Sequence, residues 1–154
     1  MERKEFKILI DAPQQKVWDV LWGKTTYPAW TSAFMEGSRV ESLNAPEGQV
    51  WRKGNKVRFL GPDDEGMVST IAENKPNEYM SIKHLGVVRK GVEDYDSPGS
   101  KEWAGSTENY TLKPIGNRTE LTIDMGITNE YLDYFEKTWP KALSKVKELS
   151  EEKS

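Results

Sequence analysis

The sequence predicts an α+β fold in which a curved antiparallel β-sheet wraps one long C-terminal α-helix. Three observations carry this expectation. Leu132, Phe135, Trp139, Ala142, Val146 and Leu149 recur at 3–4 spacing from Asn129 to the end, one apolar stripe about six turns long. Before it lie short runs of alternating apolar residues separated by Gly, Pro, Asn and Asp turns, the pattern of strands that pair with their neighbours in sequence. The chain has 154 residues, the length of one domain, and such a domain buries roughly 68–70% of its unfolded surface. A single sheet and a single long helix bury their apolar faces most economically against each other. A cavity is expected wherever the helix does not fill the curve.

The elements follow in order. Phe6, Ile8 and Ile10 fall on one face of a first strand. Pro13 suits the first turn of a helix, where no backbone N–H partner is needed. Val17, Val20 and Leu21 share the inner face of that helix, with Trp18 and Trp22 one turn apart beside them, and Gly23 ends it. Trp18 is expected to anchor this helix in the core and Trp22 to cover its end. Thr25 to Phe34 reads as a second short helix. Strands are then expected at Ser38–Leu43, Lys56–Leu60, Met67–Ala72, Tyr79–Val88, Glu108–Leu112 and Glu120–Ile127. A turn-rich link, Asn44–Gly48, follows the first of these. Gly61–Gly66 is a hairpin connection, because Gly and Pro fix turn dihedrals and Asp tolerates them. Asn74–Asn77 and Ile115–Arg118 are further turns, and Gly91–Lys101 reads as a long polar loop. Pro140 is expected to kink or tighten the last helix. Residues 1–150 form the domain and 151–154 a frayed tail.

Composition narrows the function. The chain has no cysteine and one histidine, which removes thiolate catalysis, zinc–thiolate sites and disulfides. No metal and no cofactor are expected. A net charge of -3, with basic residues scattered, offers no electrostatic footprint for nucleic acid. No stretch approaches the roughly 20 apolar residues of a membrane span. The start, Met1-Glu2-Arg3-Lys4-Glu5, leads into too short an apolar run for a signal peptide, so the expected location is the cytoplasm.

Several of these segments together resemble a known family. They are Ala12-Pro13 with Val17-Trp18 and Leu21, Trp30-Thr31 and Phe34 with Glu36-Gly37-Ser38, and Gly54 with Val57-Arg58-Phe59 and Gly66-Met67. Glu108 with Tyr110-Thr111-Leu112, Leu121 to Ile127, and Trp139-Pro140-Lys141-Ala142-Leu143 with Leu149 complete the pattern. The chain resembles the START-like superfamily known as SRPBCC, and within it the homologues of the activator of the heat-shock-protein-90 ATPase. The resemblance implies a helix-grip fold with a ligand cavity, used elsewhere for lipids, hormones and polyketides. It supplies no catalytic residue to carry over. It also implies a chaperone as a partner; the eukaryotic activators carry a separate N-terminal domain that contacts the chaperone, whereas this chain starts with the first strand.

The six tryptophans either pack a core or line a cavity. Trp30, Phe34, Phe59, Met80, Ile82, Tyr110, Ile123, Phe135 and Trp139 are the expected walls of an apolar pocket between sheet and helix. Trp51 and Trp103 lie by loops, covering the mouth or shielding backbone. His84 shares strand parity with Met80 and Ile82, and reads either as a histidine satisfied in the core or as a general acid or base. Glu108 and Tyr110 either present polar groups to the cavity or, for Glu108, end a strand in water. Glu93 to Asp96 lacks the spacing of a calcium loop, and Gly61–Gly66 lacks the helix start of a phosphate cradle. The expected function is non-catalytic binding of an apolar or amphipathic small molecule. The alternatives are a cyclase- or hydrolase-like enzyme using His84, Glu108 and Tyr110, and a chaperone-interacting protein. The oligomeric state is left open.

Overall fold

The computed structural model describes residues 1–42, 45, 46 and 48–152; Leu43 of the expected second strand, Asn44 and Glu47 of the link after it, and Lys153 and Ser154 of the expected tail lie outside the described residues. Strand β1 (Glu2–Ile10) is followed by helices α1 (Gln14–Trp22) and α2 (Thr26–Thr31). Strands β2 (Arg39–Ser42), β3 (Lys56–Leu60), β4 (Gly66–Lys75) and β5 (Tyr79–Arg89) come next. A short strand β6 (Val92–Asp94) and helix α3 (Pro98–Trp103) precede β7 (Thr107–Ile115), β8 (Arg118–Ile127) and the last helix α4 (Leu132–Glu151). The strands form one antiparallel sheet in the order β1-β8-β7-β5-β4-β3-β2, with β6 paired to β5 off that path. The sheet is curved and unclosed, and the fold is the helix grip. Among the described residues no helix is long and apolar enough to cross a membrane.

Alternation decides which side of the sheet is buried. Along β8, Leu121, Ile123, Met125 and Ile127 are all buried, and along β1 the burial of Phe6, Ile8 and Ile10 alternates with exposed residues. Helix α4 lays its stripe against β1, α1 and α2. Its Trp139 stacks on Phe6 at 5.9 Å and donates its indole N–H to the Met125 sulfur at 3.2 Å. The helix therefore grips one half of the sheet, β1 and β8. On the other half of the sheet, α3 packs against β5. Helix α4 continues through Pro140 to Glu151, and Ser150 is buried within it.

Three expectations need correction. Gly91–Lys101 is not a loop. Lys90 and Gly91, both at positive φ (49° and 80°), turn the chain tightly so that β6 pairs with Val87–Arg89. Ser97 then caps α3 by accepting from the Ser100 N–H, with Pro98 in the first turn. Trp103 consequently ends a helix and is buried. Trp18 is not a core anchor: Val17, Val20 and Leu21 form the buried face of α1, and Trp18 is only part-buried, edge-on to Trp22. Trp51 is more than a loop shield, because its ring lies 4.5 Å from Trp22 and 5.2 Å from Tyr27 in a continuous aromatic cluster.

Candidate functional site

Two neighbouring rungs cross the concave face of the sheet and meet different fates. In the first, Met80, Tyr110, Ile123 and Phe6 are in register across β5, β7, β8 and β1. The Tyr110 ring lies 4.8 Å from Trp22, 6.4 Å from Trp30 and 6.2 Å from Trp139. Those three indoles, from α1, α2 and α4, roof the rung at Tyr110, and another cavity, of about 330 Å³, borders its Met80 end between Trp18, Trp22 and Trp51. In the second rung Ile82, Glu108 and Met125 are in register, and a cavity of about 390 Å³ opens above them.

Seven of the nine expected wall residues line this cavity: Trp30, Phe34, Phe59, Ile82, Tyr110, Phe135 and Trp139. Met80 and Ile123 do not. Both are fully buried in the first rung, beneath its roof. Tyr110 belongs to that rung too, and reaches the cavity because its phenol is long enough to extend over the next one. Trp22, Tyr27, Met125, Tyr131 and Tyr134 also line the space and were not expected there, and so does Trp103, for which covering the mouth was one of two expectations. The signal for Tyr131 was legible: it lies one turn before Phe135 on the same stripe. For Trp103 it was the Ser97-Pro98 helix start.

The polar groups gather on the floor. His84 and Glu108 come together, His84 Nε2 lying 3.7 Å from Glu108 Oε1, with the two side chains 6% and 18% exposed. The Tyr110 hydroxyl donates to Glu108 Oε2. Glu108 therefore does not end its strand in water. On the far side of the imidazole, the buried Ser69 hydroxyl lies 2.8 Å from Nδ1. Ser69 and His84 are paired across β4 and β5, next to a register shift that opposes Gly86 and His84 to the consecutive Val68 and Ser69. Leu85 is thus a bulge, and bulges of this kind re-aim the side chains beside them. The His84 backbone turns from the β7 ladder to bond Gly105 and Ser106 instead, and Trp103 meets the imidazole edge-on at 6.3 Å.

Burial pushes the Tyr110 phenol well above its ordinary pKa, and the charge of Glu108 beside it acts in the same direction. Tyr27 is raised for the same two reasons. Both phenols are therefore neutral donors throughout the range in which proteins work. Ser69 is next to an imidazole, the pairing that activates a nucleophile, but its hydroxyl is sealed from the cavity and cannot meet a substrate. The carboxylate and the imidazole are the groups able to exchange a proton with a ligand. Among the described residues no three His, Cys, Asp or Glu side chains are placed to hold a metal ion.

The mouth has its own chemistry. Met35, Tyr131 and Tyr134 are exposed at the rim. Tyr134 on α4 donates to the Phe34 carbonyl at 2.5 Å, tying the helix to the segment after α2. Thr31 gives its only hydroxyl proton to the Tyr27 carbonyl at 2.7 Å, so Ser38 must be the donor in the Ser38–Thr31 contact. Arg39, also at the rim, pairs with Asp64.

Solved structures share this architecture. The Aha1 dimer from Colwellia psychrerythraea aligns with a TM-score of 0.70 at 15% identity, over 98% of this chain and 97% of that one. Protein MLL2253 from Mesorhizobium loti aligns at 0.69 and 15% identity, over 96% of each chain. CalU16 from Micromonospora echinospora aligns at 0.62 and 16% identity, over 97% of this chain and 76% of that one. The shared property is the fold. It agrees with the resemblance carried by the sequence motifs. No family model matches the chain, and no curated protein matches it.

Proposed function

We propose that this chain binds an apolar or amphipathic small molecule in the cavity between the sheet and α4. The observation that carries the reading is the contrast inside the cavity, aromatic walls above a floor holding one carboxylate and one imidazole. Ligand sites are built this way, with a largely apolar lining and few convergent polar groups, and with volumes of roughly 300–1,000 Å³. The volume of about 390 Å³ falls in that range. We place this activity in the cytoplasm, on a composition that is 31% charged and free of cysteine. Native mass spectrometry of freshly purified protein, followed by titration with fatty acids and flat polycyclic compounds read by tryptophan fluorescence, tests it. The expected result is a co-purified mass or a saturable change in emission. No bound mass and no saturable change across the panel would overturn it.

A second reading, an enzyme of the cyclase or hydrolase kind, is favoured by the convergence of His84, Glu108 and Tyr110. Proton transfer needs contact within about 3 Å or one bridging water, and a substrate hydroxyl lodged between Nε2 and Oε1 would contact both groups. For an enzyme, His84→Ala and Glu108→Gln abolish turnover and leave ligand affinity largely intact. A chaperone partner rests on the motif resemblance to the activator homologues, with which the likeness in fold to the Colwellia Aha1 protein agrees.

A further inference from the structure

Within the binding reading, the hydrogen-bonding inventory of the cavity floor specifies the chemistry of the ligand. Ser69 is fully buried, and His84 Nδ1 at 2.8 Å is its one side-chain partner among the described residues. A buried hydroxyl that donates to nothing is costly, so Ser69 donates to Nδ1. The proton of the neutral imidazole then sits on Nε2. That N–H stands 3.7 Å from Glu108 Oε1, too far for a hydrogen bond between them. Glu108 Oε2 is engaged by the Tyr110 hydroxyl, and Oε1 accepts no hydrogen bond among the described residues. The floor thus offers a donor and an acceptor side by side, neither matched by the protein.

We propose that the cavity takes an uncharged, largely apolar molecule carrying a hydroxyl group, phenolic or alcoholic, at its inner end. The hydroxyl oxygen accepts from His84 Nε2 and its proton is donated to Glu108 Oε1. Two hydrogen bonds of about 2.8 Å span the 3.7 Å separation through one oxygen atom. Other headgroups fail for stated reasons. A carboxylate meets the charge of Glu108, and the rim cation Arg39 is paired with Asp64 rather than turned to the floor. An ammonium satisfies Oε1 but confronts the Nε2–H with a second donor. A bare hydrocarbon leaves both groups unmatched in a desolvated place. Ser69 is a positioning residue here, since it fixes the imidazole tautomer without touching the ligand.

Equilibrium dialysis of the whole chain at neutral pH against naphthalene, 2-naphthol, 2-naphthoate and 2-naphthylmethylammonium tests the proposal. The expected order has 2-naphthol roughly tenfold tighter than naphthalene and roughly a hundredfold tighter than 2-naphthoate, as one or two hydrogen bonds to polar or charged groups allow. The ammonium probe falls between them. Glu108→Gln keeps the acceptor and drops the charge, so the penalty on 2-naphthoate shrinks to tenfold or less. Ser69→Ala brings 2-naphthol down towards naphthalene and leaves naphthalene unchanged, an effect that general loosening of the fold would not produce. If 2-naphthol binds no better than naphthalene, or 2-naphthoate binds as well as 2-naphthol, the hydroxyl assignment is overturned and the binding reading stands. If no probe binds, naphthalene included, the hydroxyl assignment is overturned, and the binding reading falls too when the fatty-acid and polycyclic panel also shows no saturable change.

Discussion

The rung of Met80, Tyr110 and Ile123 and the rung of Ile82, Glu108 and Met125 occupy the same face of the same strands. Three indoles pack over the centre of the first, and the 390 Å³ cavity opens over the second. The strands do not make the difference, because alternation gives both rungs the same inward direction. It comes from what stands opposite. Trp22, Trp30 and Trp139 converge over Tyr110 from three helices. Glu108 instead borders the cavity, whose outer lining includes the half-buried Phe34 and Phe135 and the exposed rim of Met35, Tyr131 and Tyr134. The polar pair lies in the open rung. A carboxylate roofed by three indoles would lose its hydration with little in return, so the position of the cavity and of Glu108 are one fact.

The largest expected effect breaks the closed side. Trp30 is 1% exposed and donates its indole N–H to the Leu21 carbonyl at 3.1 Å. Trp30→Ala removes a ring from the roof and orphans that carbonyl, and is expected to destabilise the fold by about 3–5 kcal/mol. Phe135→Ala, on the open side, is expected to cost about 1–2 kcal/mol, because the ring it removes is half-buried and already borders space. Urea unfolding of the two variants measures both. Equal losses would mean that the second rung is packed like the first.

A comparison of carboxylates comes next in size. Glu108 has one hydrogen-bond donor, Tyr110, whereas Glu93 on β6 receives Lys56 at 2.6 Å, Arg58 at 2.7 Å and the Tyr95 hydroxyl. Burial opposes ionisation of Glu93, but Lys56, Tyr95 and Arg58 together outweigh it and hold the carboxyl at about 2. A group depressed in the folded state stabilises it above the ordinary carboxylate range. That contribution is lost as pH falls through the range towards 2. Stability should therefore drop between about pH 5 and pH 2. Glu93→Gln should remove about 1.5–3 kcal/mol at neutral pH, the worth of a hydrogen bond to a charged group. It should also flatten the acid limb. An unchanged acid limb would place the pH dependence in other carboxylates.

The same contrast explains what could be read in advance. Periodicity exposed the architecture: the stripe of α4 and the alternation of β1 and β8 identify buried faces without knowledge of partners. It also put seven wall residues in one list, since a residue's face is a local property. It could not separate Met80 and Ile123 from Ile82, because that distinction lies in which helix covers which rung. The encounter of His84 with Glu108 was equally hidden. It depends on β5 pairing with β7 across the β6–α3 excursion, and on the bulge at Leu85 that brings Ser69 behind the imidazole. The excursion itself was legible in part. Ser97-Pro98 is a helix start, but Lys90-Gly91 lacks the Asn or Asp that would have marked its hairpin.

The smallest expected effect concerns the rim of the open side. Tyr134 lies on α4 and its hydroxyl reaches across to the Phe34 carbonyl, closing one edge of the mouth with a single hydrogen bond. The residue is 41% exposed, so water competes for that bond and the net stabilisation is small. Tyr134→Phe should lower stability by about 0.5 kcal/mol, near the bottom of the range for one hydrogen bond. Its effect on traffic should be clearer. Without the tie, α4 and the segment after α2 separate more readily, so entry and exit of 2-naphthol should both accelerate by roughly two- to fivefold, the equivalent of 0.5–1 kcal/mol. Affinity should stay nearly constant, because the bond closes the mouth in the free and occupied protein alike. Stopped-flow fluorescence separates the two rates. A loss of affinity with unchanged entry would make Tyr134 a ligand contact rather than a tie across the mouth.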